Sequence, residues 1–465
     1  MILPVFDFKI ALLSFLSQLE FPGKQNNFLI SFGFKVEGIK FNSYIDSAIK
    51  ESNKVFYLCR PEEKLELLAL DSAFSLNVEG NNSFTSLKNL VSGITDNRVH
   101  NLNDGLLGKL PLAFGGTKFC SGNKKDEWSD FADNDWFVPA LLFYSKNGEQ
   151  YIIANIYADE NKFPFNKTGR IIGLLEWLTP KSELEKPVIP IININYPDGE
   201  EEKWNTLVND TLAKIYKGKF GKVVLSRRVT ASVNESPSFR QMMINLQTNY
   251  NNCTTFLFKS GVSVLFGSTP EQLLRFRNNQ LEFDALAGSA KRGVDDEEDK
   301  EIASLLLMDK KNMGEHNHVI EFIRKTVSGY VSNLNQFETG IKKFSNIQHI
   351  YTPIKAELIS TDKLFNLVED LFPTPAVCGY PKEESFQYII GHEDFNRGMF
   401  SGIVGYMNLE EMDLVIAIRS ALLQNKVLYL YAGCGIVPGS DPKSEFEETK
   451  IKMKPILSLF INENK

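Results

Sequence analysis

Three residues whose types and spacing could carry chemistry lie close together near the end of the chain. Glu445, Glu448 and Lys452 follow one another at positions i, i+3 and i+7, so a helix would place all three on one face. Gly433 and Gly435 precede them, and glycines let another group approach the backbone closely. Two carboxylates and an ammonium beside these glycines could hold a metal ion and an anion together. The same spacing also suits a solvated helix face with an ordinary i, i+4 Glu–Lys pair.

A strand and a helix must position these side chains, and the sequence carries signals for both. The run from Val427 to Ala432 is rich in valine, leucine and tyrosine, which predicts a strand that leads into the glycines. Asp441 and Pro442 predict the start of the helix, because aspartate is a favoured N-cap and proline a favoured first helical residue. The acidic residues are therefore expected in the first turns of a helix that follows a strand end.

Four other stretches carry residues that could take part in chemistry. Lys222 begins the apolar run KVVLSRR, and Glu271 directly follows the turn proline of GSTPEQLL. A lysine or glutamate at such a position usually faces solvent. Glu315 and His316 adjoin each other in a helical stretch, but they lack the spacing of an HExxH zinc site. Arg419 is predicted to be a charge within an apolar strand, VIAIRS, which implies a paired partner or a bound anion.

The totals of the chain limit its classes of partner. With 465 residues and a formal net charge of −7, the chain is acidic and has no basic block, which argues against nucleic acid and anionic membranes as partners. No apolar run is long enough to span a bilayer, and the first 20 residues predict an amphipathic helix rather than a signal peptide. The five cysteines form no CxxC pair, which favours a reducing, cytoplasmic location over a disulfide framework or zinc knuckle.

Strand–turn–strand patterns outnumber strand–helix–strand patterns along the chain. Turn signals at Asn147-Gly148 and Asn278-Asn279 predict hairpins. A long helical stretch is predicted from Asp295 to Tyr330, because acidic residues suit its first turn. These patterns predict an α+β fold in which helices pack outside large antiparallel sheets. Three strands near the end, spaced as an antiparallel meander, are predicted at Ile403 to Tyr406, Leu414 to Ile418 and Val427 to Tyr431.

Several motifs occur in an order and spacing that resemble one family, the chorismate-utilising enzymes, and within it the isochorismate synthase branch. The resemblance covers residues 190–462 most strongly. It implies a four-layer αββα sandwich with two large antiparallel sheets and an active site between the layers. Residues 1–190 would form the N-terminal part of the sandwich and residues 191–465 the chorismate-binding catalytic region. The motifs are KVVLSR, GSTPE, ALAGSAKRG, the Glu–His of the long helical stretch, PTPAVCGYPKE, FSGIVGY, IRS and AGCGIVPGSDPKSEFEETKIK.

The resemblance implies catalytic and metal-binding roles for five residues. Lys222 would be the general base that activates a water molecule, and Glu271 the general acid for the leaving hydroxyl. Glu315 and Glu448 would be ligands of Mg²⁺, with Glu445 a water-mediated neighbour. Such roles suit the residue types, because Mg²⁺ takes few carboxylates and keeps several waters. Water attack with loss of a hydroxyl also needs a base on one side of the substrate and an acid on the other.

The resemblance also implies a set of substrate contacts. Chorismate is a dianion, so an acidic protein must supply cations locally, and arginine offers a bidentate fork to a carboxylate. Arg419 and the backbone N–H of Gly433 would clamp one substrate carboxylate, and Lys452 would contact an anion. The remaining contacts would be the substrate-lining backbone of Gly288 and Ser289, the segment Ala376-Val377, and an apolar wall of Ile418 and Tyr431.

The branches of the family differ in their nucleophile. Aminating members, which receive ammonia from a glutaminase partner, typically have glutamine at the position of Lys222, and some carry a nucleophilic lysine at the position of Ala287. Lys222 and Ala287 therefore favour water as the nucleophile and no glutaminase subunit. Salicylate synthases, which go on to eliminate pyruvate, tend to have threonine at the position of Ala376.

Three alternatives to an isochorismate synthase stay open at this point: a salicylate synthase, an aminating enzyme and a homologue that binds without catalysis. Retention of both Lys222 and Glu271 argues against the last, since binding alone needs neither. Asn312 departs from the family, whose members often have aspartate there, next to the metal site. Whether the product feeds a menaquinone or a siderophore is not decided by these motifs.

Overall fold

The chain folds into a mixture of α-helices and β-strands. The computed structural model describes residues 3–19, 28–78, 83–96, 98–102, 110–120, 126–158, 165–180, 189–344 and 347–462. Its helices are α1 (Val5–Ser17), α2 (Ile45–Glu51), α3 (Ser83–Asp96), α4 (Phe165–Trp177), α5 (Glu200–Tyr216), α6 (Phe239–Asn249), α7 (Asp296–Met308), α8 (Lys310–Val327), α9 (Leu364–Leu371), α10 (Lys382–His392) and α11 (Pro442–Leu457). None of these helices in the described ranges is long and apolar enough to cross a bilayer.

The strands account for most of the remaining ordered chain. They are β1 (Phe28–Val36), β2 (Lys54–Arg60), β3 (Leu65–Val78), β4 (Arg98–His100), β5 (Ala113–Thr117), β6 (Asn134–Lys146), β7 (Glu149–Ala158), β8 (Ile191–Asn195), β9 (Lys222–Val233), β10 (Thr254–Ser260), β11 (Ser263–Thr269), β12 (Gln272–Arg277), β13 (Gln280–Lys291), β14 (Val331–Gln336), β15 (Gly340–Lys343), β16 (Ile347–Leu358), β17 (Gly379–Tyr380), β18 (Ile403–Met407), β19 (Glu411–Ile416), β20 (Ser420–Gln424), β21 (Val427–Ile436) and β22 (Ile461–Asn462).

Most strands belong to two large antiparallel sheets that share the long strand β6. The first sheet has the order β1-β7-β6-β3-β2-β10-β11-β20-β21-β9-β8. The second has the order β6-β5-β18-β19-β12-β13-β16. In β6, residues 134–137 pair with β5 and residues 141–146 pair with β7. One strand therefore passes from the first sheet into the second.

The two sheets pack face to face, with helices against both outer faces. In β2, Phe56 and Leu58 contact the core between the sheets, which also contains Tyr406 of the second sheet. Val55 and Tyr57 alternate with them and face the helices on the other side, as the two-residue period of a strand requires. Helices α1, α2, α4 and α6 cover the first sheet, and α3, α8, α9 and α10 cover the second. The predicted four-layer αββα sandwich is confirmed.

Local turn and capping signals predicted several elements correctly. The hairpins β6–β7 and β12–β13 turn at Asn147-Gly148 and Asn278-Asn279, and all four turn residues have positive φ, as the favoured two-residue hairpin turns demand. Helix α11 begins at Pro442, and the Asp441 carboxylate accepts a hydrogen bond from the Ser444 N–H at 2.9 Å. The strand that begins at Lys222 is also confirmed.

The predicted meander near the end of the chain is wrong. Strands β18 and β19 pair with each other in the second sheet, whereas β20 and β21 pair in the first. The chain crosses between the sheets at residues 417–419, where Arg419 has a left-handed backbone with φ of 51°. The predicted pairing between the second and third strands of the meander therefore does not form, and Arg419 lies in a connection rather than within a strand.

The predicted long helix is two helices. α7 ends at Met308 and α8 begins at Lys310. Asp309 breaks the run, because its carboxylate accepts a hydrogen bond from the Asn312 N–H at 2.8 Å and caps α8. The break sets the direction of α8, which carries Glu315.

Strands from both halves of the chain pair directly with each other. β2 pairs with β10, and β5 pairs with β18. The first 190 residues thus contribute strands to both sheets. A catalytic region that begins at residue 191 stays a prediction.

Candidate active site

One cavity gathers every residue that the sequence selected for catalysis, substrate contact or metal binding. It has about 120 Å³ of water-accessible volume and lies where the ends of β9, β13 and β21 meet α8 and α11. The selected residues that line it come from widely separated parts of the chain: Lys222, Glu271, Gly288, Ser289, Glu315, Ala376, Val377, Ile418, Arg419, Tyr431, Gly433, Glu445, Glu448 and Lys452.

Lys222 is buried at the start of β9 and contacts the first of the acidic residues. Its side chain is 1 % exposed, and its Nζ donates a hydrogen bond to Glu315 Oε1 at 2.6 Å. Gly435 lies on the neighbouring strand β21, where a Cβ atom would come within 2.7 Å of Lys222 Cε and 2.8 Å of Glu315 Oε1. The lysine–glutamate pair therefore requires glycine at this position, which explains one of the two glycines that the sequence indicated.

Glu271 is a buried carboxyl group held between β11 and β12. Its backbone N–H donates to Thr269 Oγ1 at 3.2 Å, and its carbonyl accepts from the Ile416 N–H at 3.0 Å. Burial raises the pKa of Glu271 to about 7, although the positive charges of Lys222, Lys452 and Arg419 act to lower it. A carboxyl group with this pKa keeps a proton that it can donate near neutral pH.

Arg419 is a buried cation whose guanidinium has no partner among the residues that the structure describes. Only 7 % of the residue is exposed, and within the described residues its guanidinium makes no hydrogen bond or ion pair. Burial lowers its pKa from the ordinary value, since desolvation disfavours the charged form. A buried guanidinium without a partner is costly, and it lines the cavity. It is therefore positioned to bind an anion that enters the cavity.

Each of the three acidic residues is paired with a different lysine. Helix α8 supplies one of the carboxylates, and α11 supplies the other two, which lie one turn apart. Lys452 also donates a hydrogen bond to the Gly433 carbonyl at 2.9 Å; the expected clamp by the Gly433 N–H stays a prediction. The pairs are Glu315 with Lys222 at 2.6 Å, Glu445 with Lys311 at 3.2 Å and Glu448 with Lys452 at 2.6 Å.

The donor set suits Mg²⁺ better than a metal that needs a complete protein cage. Within the described residues, no three side chains from histidine, cysteine, aspartate and glutamate form a group that could hold a metal by themselves. Glu315, Glu445 and Glu448 nevertheless line one cavity from two helices. Mg²⁺ keeps several waters and binds one or two carboxylates together with substrate oxygens, so these residues fit it.

One wall of the cavity is formed by a bulged strand that packs against α8. Gly288 has φ of 78° and lies in a bulge of β13. A Cβ atom there would come within 3.0 Å of Ile350 Cδ1 and 3.1 Å of Asn312 Cβ. Its neighbour Ser289 pairs through Oγ with His349 Nδ1 at 2.9 Å. The bulge therefore brings backbone against the cavity at a position where only glycine fits without strain.

Sequence reasoning did not select His349 and Lys311, which are among the polar residues that line the cavity. His349 Nε2 is buried and has no hydrogen-bond partner among the described residues. Burial, followed by the charges of Arg419 and Lys452, lowers the pKa of His349 well below its ordinary value, so the ring is neutral. A lone histidine in the strand β16 carries no spacing signal, and only its register opposite Ser289 reveals it.

Tyr431 presents its ring to the cavity and its hydroxyl elsewhere. The hydroxyl donates a hydrogen bond to Glu127 Oε1 at 2.9 Å. The ring stacks on Phe400, with centroids 5.1 Å apart, and both residues line the cavity with Ile418. This geometry agrees with the expected apolar wall, whose contact with substrate stays a prediction.

The chain belongs to the chorismate binding enzyme family, whose model matches residues 14–461. It is 27 % identical to isochorismate synthase MenF of Bacillus subtilis, over 92 % of this chain and 93 % of that protein. It is 34 % identical to the salicylate biosynthesis isochorismate synthase of Pseudomonas aeruginosa, over 74 % of this chain and 73 % of that protein. The family prediction is confirmed.

Solved structures share the fold. The chain superposes on MenF, the menaquinone-specific isochorismate synthase of Escherichia coli, with a TM-score of 0.80 and 23 % identity, over 98 % of this chain and 99 % of the other. It also matches anthranilate synthase component I of Streptococcus pneumoniae, with a TM-score of 0.68 and 21 % identity, over 84 % of this chain and 91 % of the other. An isochorismate synthase and an anthranilate synthase component therefore share this sandwich.

Proposed function

We propose that the chain is an isochorismate synthase, which interconverts chorismate and isochorismate with Mg²⁺. The observation that carries the proposal is the grouping of three buried residues around one cavity: Lys222, Glu271 with a pKa of about 7, and Arg419, whose guanidinium has no partner in the described part of the chain. The names of the relatives from Bacillus subtilis and Pseudomonas aeruginosa support the same reaction.

Binding of the dianion would use the cations of the cavity. Arg419 has no partner to give up within the described residues, so a substrate carboxylate would supply the first anion that its guanidinium contacts. Lys452 lies on the side of the carboxylates, where it contacts Glu448 at 2.6 Å. Mg²⁺ bound by Glu315 and Glu448, with Glu445 beside them, would neutralise a second substrate carboxylate.

Lys222 and Glu271 would carry the proton transfers. Lys222 takes a proton from water as the oxygen bonds to ring carbon C2, the ring double bonds shift, and the hydroxyl at C4 leaves with a proton from Glu271. Each proton is thus accounted for by one side chain, and the reverse reaction exchanges the two roles. Lys222 must be neutral to act as a base. If Glu315 bound the metal, its carboxylate would no longer serve as the ion-pair partner of Lys222.

Two residues of the cavity favour water over ammonia. Lys222 stands where aminating relatives typically have glutamine, and Ala287, which lines the cavity, cannot form the covalent bond that a lysine forms at this position in some of them. A glutaminase subunit is therefore not part of the proposal. Ala376 also lines the cavity, and its lack of a hydroxyl favours a synthase that releases isochorismate.

Chromatography of the products tests the proposal. Purified protein with Mg²⁺ and chorismate, but without ammonium or a partner, should give a mixture of chorismate and isochorismate, and removal of Mg²⁺ with EDTA should stop the conversion. Salicylate and pyruvate as main products would assign the chain to the salicylate synthases. An aminated product upon addition of ammonium would assign the chain to the aminating branch. If chorismate stayed unchanged, the chain would be a homologue that binds without catalysis.

A further inference from the structure

Lys311 is a cation of the cavity that the proposed reaction does not use. It lies in the first turn of α8, and its side chain is 39 % exposed, compared with 1 % for Lys222 and 17 % for Lys452. Its Nζ lies 3.2 Å from Glu445 Oε1, on α11. Lys311 therefore bridges the two helices at the more open side of the cavity.

Glu445 depends on this bridge. Its side chain is 6 % exposed, and within the described part of the chain no cation other than Lys311 contacts its carboxylate. A buried carboxylate that loses its only cation is strongly destabilised. Lys311 can therefore leave Glu445 at low cost only when another cation takes its place.

On the basis of the proposed function, we propose that Lys311 is an additional substrate-binding residue that exchanges partners. It holds Glu445 while the metal is absent, and it turns to a carboxylate of the substrate dianion when Mg²⁺ replaces it beside Glu445. The other two carboxylates are held in the same way, since Glu315 and Glu448 also each contact a lysine that lines the cavity.

The charge balance of the cavity couples the binding of Mg²⁺ to the binding of the substrate. The three carboxylates and three lysines cancel each other in the metal-free cavity. Arg419 adds one positive charge to the cavity, and Glu271 adds none while it is protonated. Entry of Mg²⁺ alone would therefore leave three positive charges in excess, and entry of the dianion alone would leave one negative charge in excess. Metal and substrate should consequently strengthen each other's binding, by the same factor in both directions.

The first test measures binding of Mg²⁺ alone by isothermal titration calorimetry. Lys311→Gln should raise the affinity for Mg²⁺ by about 5- to 50-fold, because a like charge that competes for Glu445 is removed. The matched control is Lys310→Gln, which removes the same charge from the neighbouring exposed residue and should change the affinity by less than about twofold. Lys311→Arg keeps the competing charge and should bind Mg²⁺ like the parent.

The second test measures chorismate binding in a Glu271→Gln background, where turnover is slow. Lys311→Gln should weaken chorismate binding by about tenfold in the presence of Mg²⁺ and reduce the factor by which Mg²⁺ strengthens it. If Lys311→Gln bound Mg²⁺ no more tightly than Lys310→Gln does, the proposed exchange would be wrong. It would also be wrong if neither variant bound Mg²⁺ detectably. If the parent converted chorismate to another product, the proposed function would fail, while the Mg²⁺ titration would still decide the role of Lys311.

Discussion

Glu271 and Asp413 are both buried carboxyl groups with arginines nearby, and they differ in the partners that surround them. Asp413 is fully buried in β19 and accepts hydrogen bonds from Arg60, from Arg277 at 3.2 Å and from Gln272 at 3.1 Å. Despite the opposing effect of burial, Arg60 and its neighbours hold the pKa of Asp413 well below the ordinary range. In Glu271 the effect of burial prevails, and the pKa rises to about 7.

The difference separates a structural charge cluster from a reactive one. Around Asp413 the positive and negative groups satisfy one another, so the cluster joins β2, β12 and β19 and has no proton to exchange at neutral pH. Around Glu271 the guanidinium of the nearby Arg419 has no hydrogen-bond partner in the described residues, and the carboxyl group can gain or lose a proton. Buried charges with complete partners hold a fold together, whereas those with incomplete partners are available to a ligand.

The largest expected effect concerns the acid and the base. Lys222→Ala and Glu271→Gln should each reduce turnover by about 10²- to 10⁴-fold, because each removes one proton transfer. Both variants should be impaired in both directions of the reaction, since the two roles exchange in reverse. The measurement is kcat with chorismate and with isochorismate, with circular dichroism as the folding control. Near-parent turnover by Lys222→Ala would reject the mechanism even if the product assignment held.

Substitution in the structural cluster should affect stability instead. Asp413→Asn leaves Arg60 and Arg277 with an incomplete partner and should lower the free energy of unfolding by about 3–5 kcal/mol. Asp362→Asn is the control, because Asp362 is 83 % exposed and pairs only at the surface with Lys88, so its loss should cost less than about 1 kcal/mol. Urea unfolding measures both. A stability loss by Asp413→Asn no larger than that of the control would contradict the structural role.

Arg419 should affect substrate binding more than turnover. Arg419→Gln removes the buried guanidinium and should raise KM for chorismate by about 10- to 100-fold, which corresponds to the loss of a charge-assisted hydrogen bond. Arg324→Gln, at an exposed position of α8, is the charge-matched control and should leave KM near that of the parent. If Arg419→Gln lowered kcat at unchanged KM, the guanidinium would act on the reaction rather than on binding.

Local sequence signals predicted much of the fold. They failed where the path of the chain depends on which distant strand a segment pairs with. The turns at Asn147-Gly148 and Asn278-Asn279 determine their hairpins by themselves. The segment from Leu414 to Ser420 has the same apolar character whether the chain turns back in one sheet or crosses to the other. Only the pairing of β20 with β11, a strand more than 150 residues earlier, shows that it crosses.

Sequence signals likewise predicted some residues of the candidate site and missed others. Motifs identified the residue types of the cavity, such as Lys222 and Glu271, because their order matches a family. His349 and Lys311 were missed because a single histidine in a strand and a lysine in a helix look ordinary. Their place in the cavity follows from the bulge at Gly288 and from the packing of α8 against the sheet, which no local pattern encodes.

The smallest expected effect is the contribution of Glu271 to the pH dependence of stability. Because the pKa of Glu271 is raised to about 7 in the folded protein, the folded state binds this proton more tightly than the unfolded chain, where the pKa is near its ordinary value of 4.5. Its contribution is therefore fully present below about pH 4.5, and it is lost as pH rises through about 7.

Glu271→Gln cannot lose that proton, so its free energy of unfolding relative to the parent should increase between about pH 4.5 and 7 and then stay constant. The increase should amount to about 2–3 kcal/mol, and urea unfolding at half-unit pH intervals measures it. Asp413→Asn should show no such change between about pH 4.5 and 7, because Asp413, whose pKa is lowered in the folded protein from the ordinary value of 3.8, is ionised in both the folded and the unfolded chain in this range. Its contribution to stability is lost only as pH falls below about 4. A constant difference between Glu271→Gln and the parent over this range would mean that Glu271 is ionised in the folded protein at acidic pH, and it could then not act as the general acid.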